Sequence, residues 1–361
     1  MKRVGFLLTV LLFSFITRSP SALPLKEYEV VKMAEGVYGF VWKDPLQSPA
    51  EGNSLFIIND NDVVVVDAGL FPSSTRRAIR ELQKLTSKPV RYVFNTHFHD
   101  DHINGNFLFR ELWPDVEFVS HRDTRTDIIE LDNNSREQDI QNMVESENKY
   151  KEWLASGKDD QGKQLDEART KRVQELVLVM EKGVSEYRTI QNAEPNLTYT
   201  DSLILHRGNR IIKFLWLGRG NTRGDGIVYL PNERIAATGD LFVYPVPFGI
   251  GSYYKEWIAT LSRVDSLNAD VLFPGHGHPQ HDRTYLRKQQ ALLRSLVSEV
   301  EASVADGDSL KKTLERVTLR EWKQNFSMSD PVKERAFDNY FVVPAVERAW
   351  RQAKGEAEAL K

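Results

Sequence analysis

Three of the chain's eight histidines fall within six residues, in the run Asn95-Thr96-His97-Phe98-His99-Asp100-Asp101-His102. Imidazole and carboxylate are the ordinary ligands of a hydrolytic zinc site. Three later stretches carry more residues of this kind beside glycine: Gly218-Arg219-Gly220-Asn221-Thr222-Arg223-Gly224-Asp225, Ala237-Thr238-Gly239-Asp240 and Phe273-Pro274-Gly275-His276-Gly277. A backbone without Cβ can turn sharply toward an ion. One such pair is a weak signal, but three in a chain that already holds the histidine cluster are a strong one. Cysteine is absent, which removes thiolate ligands and nucleophiles from consideration.

The elements that must carry these loops are legible by periodicity. Val90-Arg91-Tyr92-Val93-Phe94 alternates and is rich in β-formers, so the histidine loop follows a strand. Tyr28 to Met33 and Gly36 to Trp42 read as strands around Glu35-Gly36. Ser54 to Ile58 and Asp62 to Asp67 read as a hairpin across Asn59-Asp60-Asn61. Val63 to Val66 is apolar on both faces, as expected of a strand covered on both sides. Ser73 to Leu85 reads as a helix capped by Ser73 or Ser74, with Ala78, Ile79, Leu82 and Leu85 buried. Strand, helix and strand with covered faces make a layered α/β unit.

From about Arg122 to Pro195 helix-type spacing and dense charge take over, broken at Lys158-Asp159-Asp160-Gln161-Gly162. This is a helical insertion whose role as packing, lid or dimer surface is open. Strands return at Leu203–Leu205 and Arg210–Leu217 across Gly208-Asn209, then at Gly226–Leu230 and Arg234–Thr238. Beyond Asp282 the chain is helical, with a stripe of Leu286, Leu292, Leu293, Leu296, Val297 and Val300. A later helix begins at Ser329-Asp330-Pro331.

A chain of 361 residues with net charge −3 gives no support for a nucleic-acid partner. Lys2 and Arg3, the apolar run Val4 to Ile16 and the small residues to Ala22 lay out a secretory signal peptide over 1–22. The apolar run is shorter than the roughly 20 residues a spanning helix needs. The expectation is therefore an exported protein, periplasmic or secreted, without stable membrane insertion. Residues 23–285 then form the body and 286–361 a C-terminal helical region; oligomeric state is not legible.

With His97-x-His99-x-Asp101-His102 and the order of the later loops, the chain resembles the metallo-β-lactamase superfamily over roughly residues 28 to 280. The resemblance implies a four-layer αββα sandwich with one or two metal ions, usually zinc, along one edge of the sheets. It assigns His97 and His99 to a first metal. It assigns Asp101, His102 and His276 to a second, with Asp240 bridging or serving the second. Asp67 is similar to a buried carboxylate that supports a ligand histidine, a plain turn aspartate being the alternative. Asn221 stands where the family has a further first-metal histidine. Its amide oxygen is a neutral, weaker donor, so the first site is loose, water-filled or suited to a harder ion, or Asn221 instead donates to substrate. Residue types do not separate zinc from manganese or iron.

The implied function is an exported hydrolase of a small molecule. A bound cation lowers the pKa of water from about 15.7 to about 7, and the hydroxide attacks an amide or ester carbonyl, β-lactam-like rings included. Asp101 would both ligate and hold the proton. Tyr244 is a candidate donor to the oxyanion or leaving group, or else an aromatic lip, and Pro245 to Tyr254 a shaped pocket wall. A lactonase, thioesterase or other esterase fits the same fold, as does a metal-binding protein without catalysis. Of the other histidines, His121 reads equally as a support for the site or a surface residue, His206 as structural, and His278 and His281 as solvated.

Overall fold

The computed structural model describes residues 27–43, 45, 46 and 50–356, with backbone alone at 132–134. The expected signal peptide, residues 1–22, lies outside the described residues.

Among the described residues, twelve strands form two sheets. The first contains β1 (Tyr28–Ala34), β2 (Val37–Trp42), β3 (Ser54–Ile58), β4 (Val63–Val66), β5 (Val90–Phe94), β6 (Glu117–His121) and β7 (Leu197–Tyr199), in that spatial order. β1 to β4 pair antiparallel, whereas β4 to β7 run parallel. The second contains β8 (Ser202–Arg207), β9 (Arg210–Trp216), β10 (Gly226–Leu230), β11 (Ile235–Ala237) and β12 (Val271–Phe273). Only its β11–β12 pair is parallel.

Period-two alternation sorts the side chains into three cores. Leu55, Ile57, Val64 and Val66 face Phe214, Val228, Leu230 and Phe273 between the sheets. Their neighbours Phe56, Val63 and Val65 point to the other face of the first sheet. There they meet Ile79 and Leu82 of α1 (Pro72–Leu85). After α2 (Asp100–Ile103), α3 (Asn106–Leu112) adds Phe107 and Leu108 to the same cluster. On the second sheet, Ile227, Ala236 and Leu272 pack against helices from the C-terminal third. The result is the expected αββα order of layers.

Between β6 and β7 run α4 (Arg122–Asp127), a π-helical turn at Ile128–Asp132, α5 (Asn133–Ser156) and α6 (Glu167–Tyr187). α5 and α6 pack on each other. Val184 and Tyr187 join them to the α1 and α3 layer. α7 (Tyr254–Ser266) precedes β12 and buries Trp257 and Leu261. The described residues after β12 hold five α-helices, α8 (Thr284–Ala305), α9 (Leu310–Arg316), α10 (Arg320–Ser327), α11 (Pro331–Phe337) and α12 (Val343–Ala353), with a π-helical turn at Asp338–Val342 joining the last two. The stripe read from α8 is buried at Leu286, Leu292, Leu293, Leu296 and Val300. Asp330 caps α11, accepting from the backbone N–H of Val332 at 2.8 Å and Lys333 at 3.2 Å.

Two local readings are corrected. α1 begins at Pro72, and neither Ser73 nor Ser74 caps it. Ser74 Oγ instead donates to Glu51 Oε1 at 2.5 Å, and Glu186 of α6 accepts from the Ser73 N–H at 2.7 Å. A tertiary carboxylate has taken the place of a local cap. Leu85, expected in the buried stripe, is the last residue of the helix and is 38% exposed.

Gly39 of β2 ties the fold to the site. A Cβ built there would lie 2.5 Å from Phe273 Cε2, three residues before His276. Gly39→Ala is therefore expected to destabilise by about 1–3 kcal/mol through overpacking. In denaturant unfolding this should appear as a lower midpoint with an unchanged slope.

Candidate metal centre

The site begins with Asp67, immediately after β4. Its φ of 60° is in the left-handed region, which an L-residue adopts only when its surroundings hold it there. Asp67 Oδ1 accepts from the Thr96 N–H and Oδ2 from the Thr96 hydroxyl, both at 2.8 Å. Oδ2 also lies 2.8 Å from His102 Nδ1. With the Nδ1 proton directed at this carboxylate, His102 turns the lone pair of Nε2 the other way. Of the two roles weighed for Asp67, the contact made is the one that supports a histidine.

Three strand ends converge on that nitrogen. His102 Nε2 lies 3.4 Å from both Asp101 Oδ2 and Asp240 Oδ1. His276 Nε2 lies 2.9 Å from Asp101 Oδ2 and 3.6 Å from Asp240 Oδ1. The other oxygen of Asp240 is 3.8 Å from His97 Nε2, which in turn is 2.9 Å from His99 Nδ1. Asp240 thus faces His97 with one oxygen and His102 and His276 with the other. Two overlapping triads, His97–His102–Asp240 and Asp101–His102–His276, each have ligand atoms within 4.8 Å of one another. His102 belongs to both, whereas the resemblance gives it to the second metal alone.

Charge in the cluster is arranged to suit a cation. Burial, with the neighbouring His102 and His99, holds His97 well below the usual imidazole range; burial also lowers His99. Both are thereby kept as neutral donors. For His102 burial acts the same way, but Asp101, Asp67 and Asp240 together outweigh it and raise the group well above its ordinary value. His276 is likewise raised to about 9, burial being outweighed by Asp240 and Asp101. Burial pushes Asp101 and Asp240 up, yet the imidazoles of His102 and His276 hold both well below the carboxylate range. Carboxylates are ionised where positive charge is needed to balance them, and protons on imidazole sit where a metal would replace them.

The residues fit an ion by a second criterion. His102 Nε2 and Asp240 Oδ1 are buried without a hydrogen-bond partner, as are both amide atoms of Asn221. Buried polar atoms are seldom left unpartnered, and a divalent ion satisfies imidazole and carboxylate orphans together. The Asn221 loop is itself fixed: Asp225 accepts from the Thr222 N–H and hydroxyl, and Gly220 O from the Tyr253 N–H at 2.8 Å.

A cavity of about 1420 Å³ opens beside the cluster. Phe98, His99, Asp101 and Asn221 form its metal-side wall; Gln138, Met143 and Met180 of the insertion form another; Arg348 and Arg351 of α12 line a third. Ile250 and Gly251, from the stretch read as a pocket wall, also line it. Tyr244 is placed elsewhere. Its ring packs edge-on to Tyr285 at 5.1 Å, in the C-terminal helical core, so the structure favours the packing reading over the donor one. His121 fits neither role weighed for it: it is buried, stacks on Trp216 at 5.1 Å and accepts from the Asp123 N–H as the cap of α4. His206 and His281 are exposed, and His278 is half-exposed, paired with Glu29 at 2.8 Å.

Several positioning residues escaped the sequence reading. Asn53 donates its amide to Pro274 O at 3.1 Å and Gly277 O at 2.8 Å, clamping both sides of the His276 turn. Gly52 lets the same segment touch the histidine loop, because a Cβ there would collide with Asp101 O. Thr96, which links Asp67 to His97, lies inside the histidine run and could have been noticed as a bridging hydroxyl.

Comparison with known proteins agrees with this fold. The Metallo-beta-lactamase superfamily matches residues 48–276. A linear primary-alkylsulfatase of Pseudomonas sp. (strain ATCC 19151) is 23% identical over 247 residues, 66% of this chain and 44% of its own. The chain thus spans less than half the length of that relative. A solved metallo-beta-lactamase from Pontibacter korlensis shares the fold, with TM-score 0.52 at 17% identity over 74% of this chain and 99% of that one.

Removing the Asp67 charge tests the support given to His102. Asp67→Asn is expected to weaken metal affinity about 10- to 100-fold, read by competition against a chromophoric chelator, with far-UV circular dichroism checking that the variant is folded.

Proposed function

Because this chain belongs to the metallo-beta-lactamase superfamily, most of whose members are hydrolases, we propose that it is a metal-dependent hydrolase of a small molecule. His97, His99, Asp101, His102, Asp240 and His276 would hold one or two ions. A neutral amide oxygen at Asn221 would complete the first position weakly. The donor set has nitrogen and oxygen but no sulfur, which suits zinc and also manganese or iron. A bound divalent cation would supply acidified water and polarise the substrate oxygen.

The chain's own groups account for the rest. Asp101 reaches both the His276 contact and the cavity wall, so its carboxylate is placed to hold and pass on a proton beside the substrate. Asp67 keeps His102 in one tautomer and orientation. Phe98 and the insertion's methionines offer apolar surface that limits water around the bond to be cleaved. The observation that carries the proposal is the pair of buried, unpartnered atoms His102 Nε2 and Asp240 Oδ1, held 3.4 Å apart by residues from different loops.

We favour an ester or amide carbonyl as the reacting group, with lactone, thioester and β-lactam within the class. A second reading, a sulfate ester, is supported by the alkylsulfatase relative. Turnover of ester, lactone, thioester, β-lactam and alkyl sulfate substrates by the metal-loaded protein separates these. Chelation is expected to abolish activity. Asp101→Asn should lower kcat about 10²- to 10⁴-fold. Rates that survive both treatments overturn the proposal, and metal uptake without turnover on any substrate leaves a non-catalytic binding protein. Asn221→His is expected to raise the metal-to-protein ratio measured by elemental analysis at limiting metal. An unchanged ratio would place residue 221 outside the ion's coordination.

A further inference from the structure

The α12 wall of the cavity carries positive charge that the hydrolytic cluster does not use. Two arginines of α12 line it. Arg351 is engaged, pairing with Glu347 one turn earlier at 2.9 Å. Arg348 is not. Its Nε and Nη2 are shielded from solvent and lack a hydrogen-bond acceptor, and it forms no ion pair among the described residues. Its guanidinium carbon lies over the Tyr253 ring at 5.7 Å from the centre, a cation–π contact that attracts the charge but gives the Nε and Nη2 protons no oxygen acceptor.

Burying two guanidinium nitrogens, with three N–H donors between them, without acceptors is unfavourable, and native structures seldom keep such groups unless a ligand satisfies them. The position is also firm. Gln352, on the same helix, donates to Ser252 O at 2.8 Å, and the Gly249 N–H donates to Tyr340 O at 2.8 Å. Both bonds hold the helices at 331–353 against the 249–253 segment. Tyr253 in turn donates to Gly220 O, which places Arg348 near the loop bearing Asn221.

We propose that Arg348 is a specificity-determining residue that binds an oxyanion carried by the substrate, apart from the bond being cleaved. A planar fork of N–H donors matches carboxylate, sulfate or phosphate oxygens two at a time. Asp100, Glu130 and Asp139 line other parts of the cavity and repel such a group, whereas the acids on the α12 side are already paired, Glu347 with Arg351 and Glu356 with Lys354. The substrates are then anionic esters or amides. This assignment rests on the hydrolase reading for the bond cleaved but not for the binding of the anion.

The test uses the metal-loaded full chain and two chromogenic esters of matched size: the p-nitrophenyl monoester of glutaric acid, and neutral p-nitrophenyl pentanoate. The native protein is expected to prefer the charged ester in kcat/KM by about tenfold to a hundredfold. Arg348→Gln should erase that preference through KM rather than kcat, and Arg348→Lys should restore part of it. Glutarate binding by isothermal titration gives a readout independent of turnover, with Arg348→Gln expected to weaken it by a similar factor. Inorganic sulfate, titrated alone, distinguishes a substrate-borne anion from a free one: binding of sulfate but not glutarate at Arg348 overturns the substrate assignment.

Hydrolysis of both esters with equal kcat/KM, and no glutarate binding to the native protein, sinks the subsite while leaving the hydrolase standing. Arg348-dependent glutarate binding without turnover of either ester does the reverse. Should Arg348→Gln fail the thermal-unfolding check, the native charge preference and glutarate titration, with Arg348→Lys, still decide the matter.

Discussion

A carboxylate with almost no access to water, Asp67, holds two things at once: the first peptide of the histidine loop and the ring of His102. Burial pushes this carboxyl up, an effect only partly offset by His102 and Thr96, and a lone charge there would be costly. It persists because the imidazole beside it is itself held by two further carboxylates, Asp101 and Asp240. Acid, imidazole and acid alternate inward from β4, and each member is stabilised by the next. Removing any one leaves an uncompensated charge in a site that water scarcely enters. The left-handed turn at Asp67 is the backbone cost of aiming that chain of groups at one point.

The sandwich around this chain acts as a positioning frame. Parallel strands β4 and β5 end side by side, so Asp67 and the histidine loop leave the sheet at the same edge. β11 and β12, the one parallel pair of the second sheet, deliver Asp240 and His276 to that edge from the other layer. Parallel pairing is what brings successive C-terminal strand ends together. The antiparallel strands contribute core, the Asn53 clamp and, on the loop between β9 and β10, Asn221, the weakest of the candidate ligands.

Much of this was legible from residue types. The apolar run at 63–66, the alternation at 90–94 and the glycine-flanked Asp240 and His276 each carry a local signal, and the four layers were implied by the family resemblance that the motifs carry. What stayed hidden depends on contacts between distant segments. Nothing around Ser73 announces that Glu186 will cap α1, and Gly52-Asn53 resembles any turn until the His276 loop is seen against it. Tyr244 looked chemically apt by its nearness to Asp240 in sequence, yet its ring follows the helical core. Arg348 is one of the two arginines of α12. Only the absence of a counter-charge around it in three dimensions sets it apart.

The cavity is shared between parts of the chain that are held in different ways. Its metal-side wall belongs to loops whose geometry is interlocked with the sheets, while its remaining walls are supplied by an excursion between β6 and β7 and by a helix near the end of the chain. None of the candidate ligands lies on those two segments, so side chains that face the cavity from them can change while the ion-binding edge stays intact. Diversification within such a lineage would then proceed by refitting the outer helices around an inherited reaction centre, with new molecules admitted without rebuilding the chemistry.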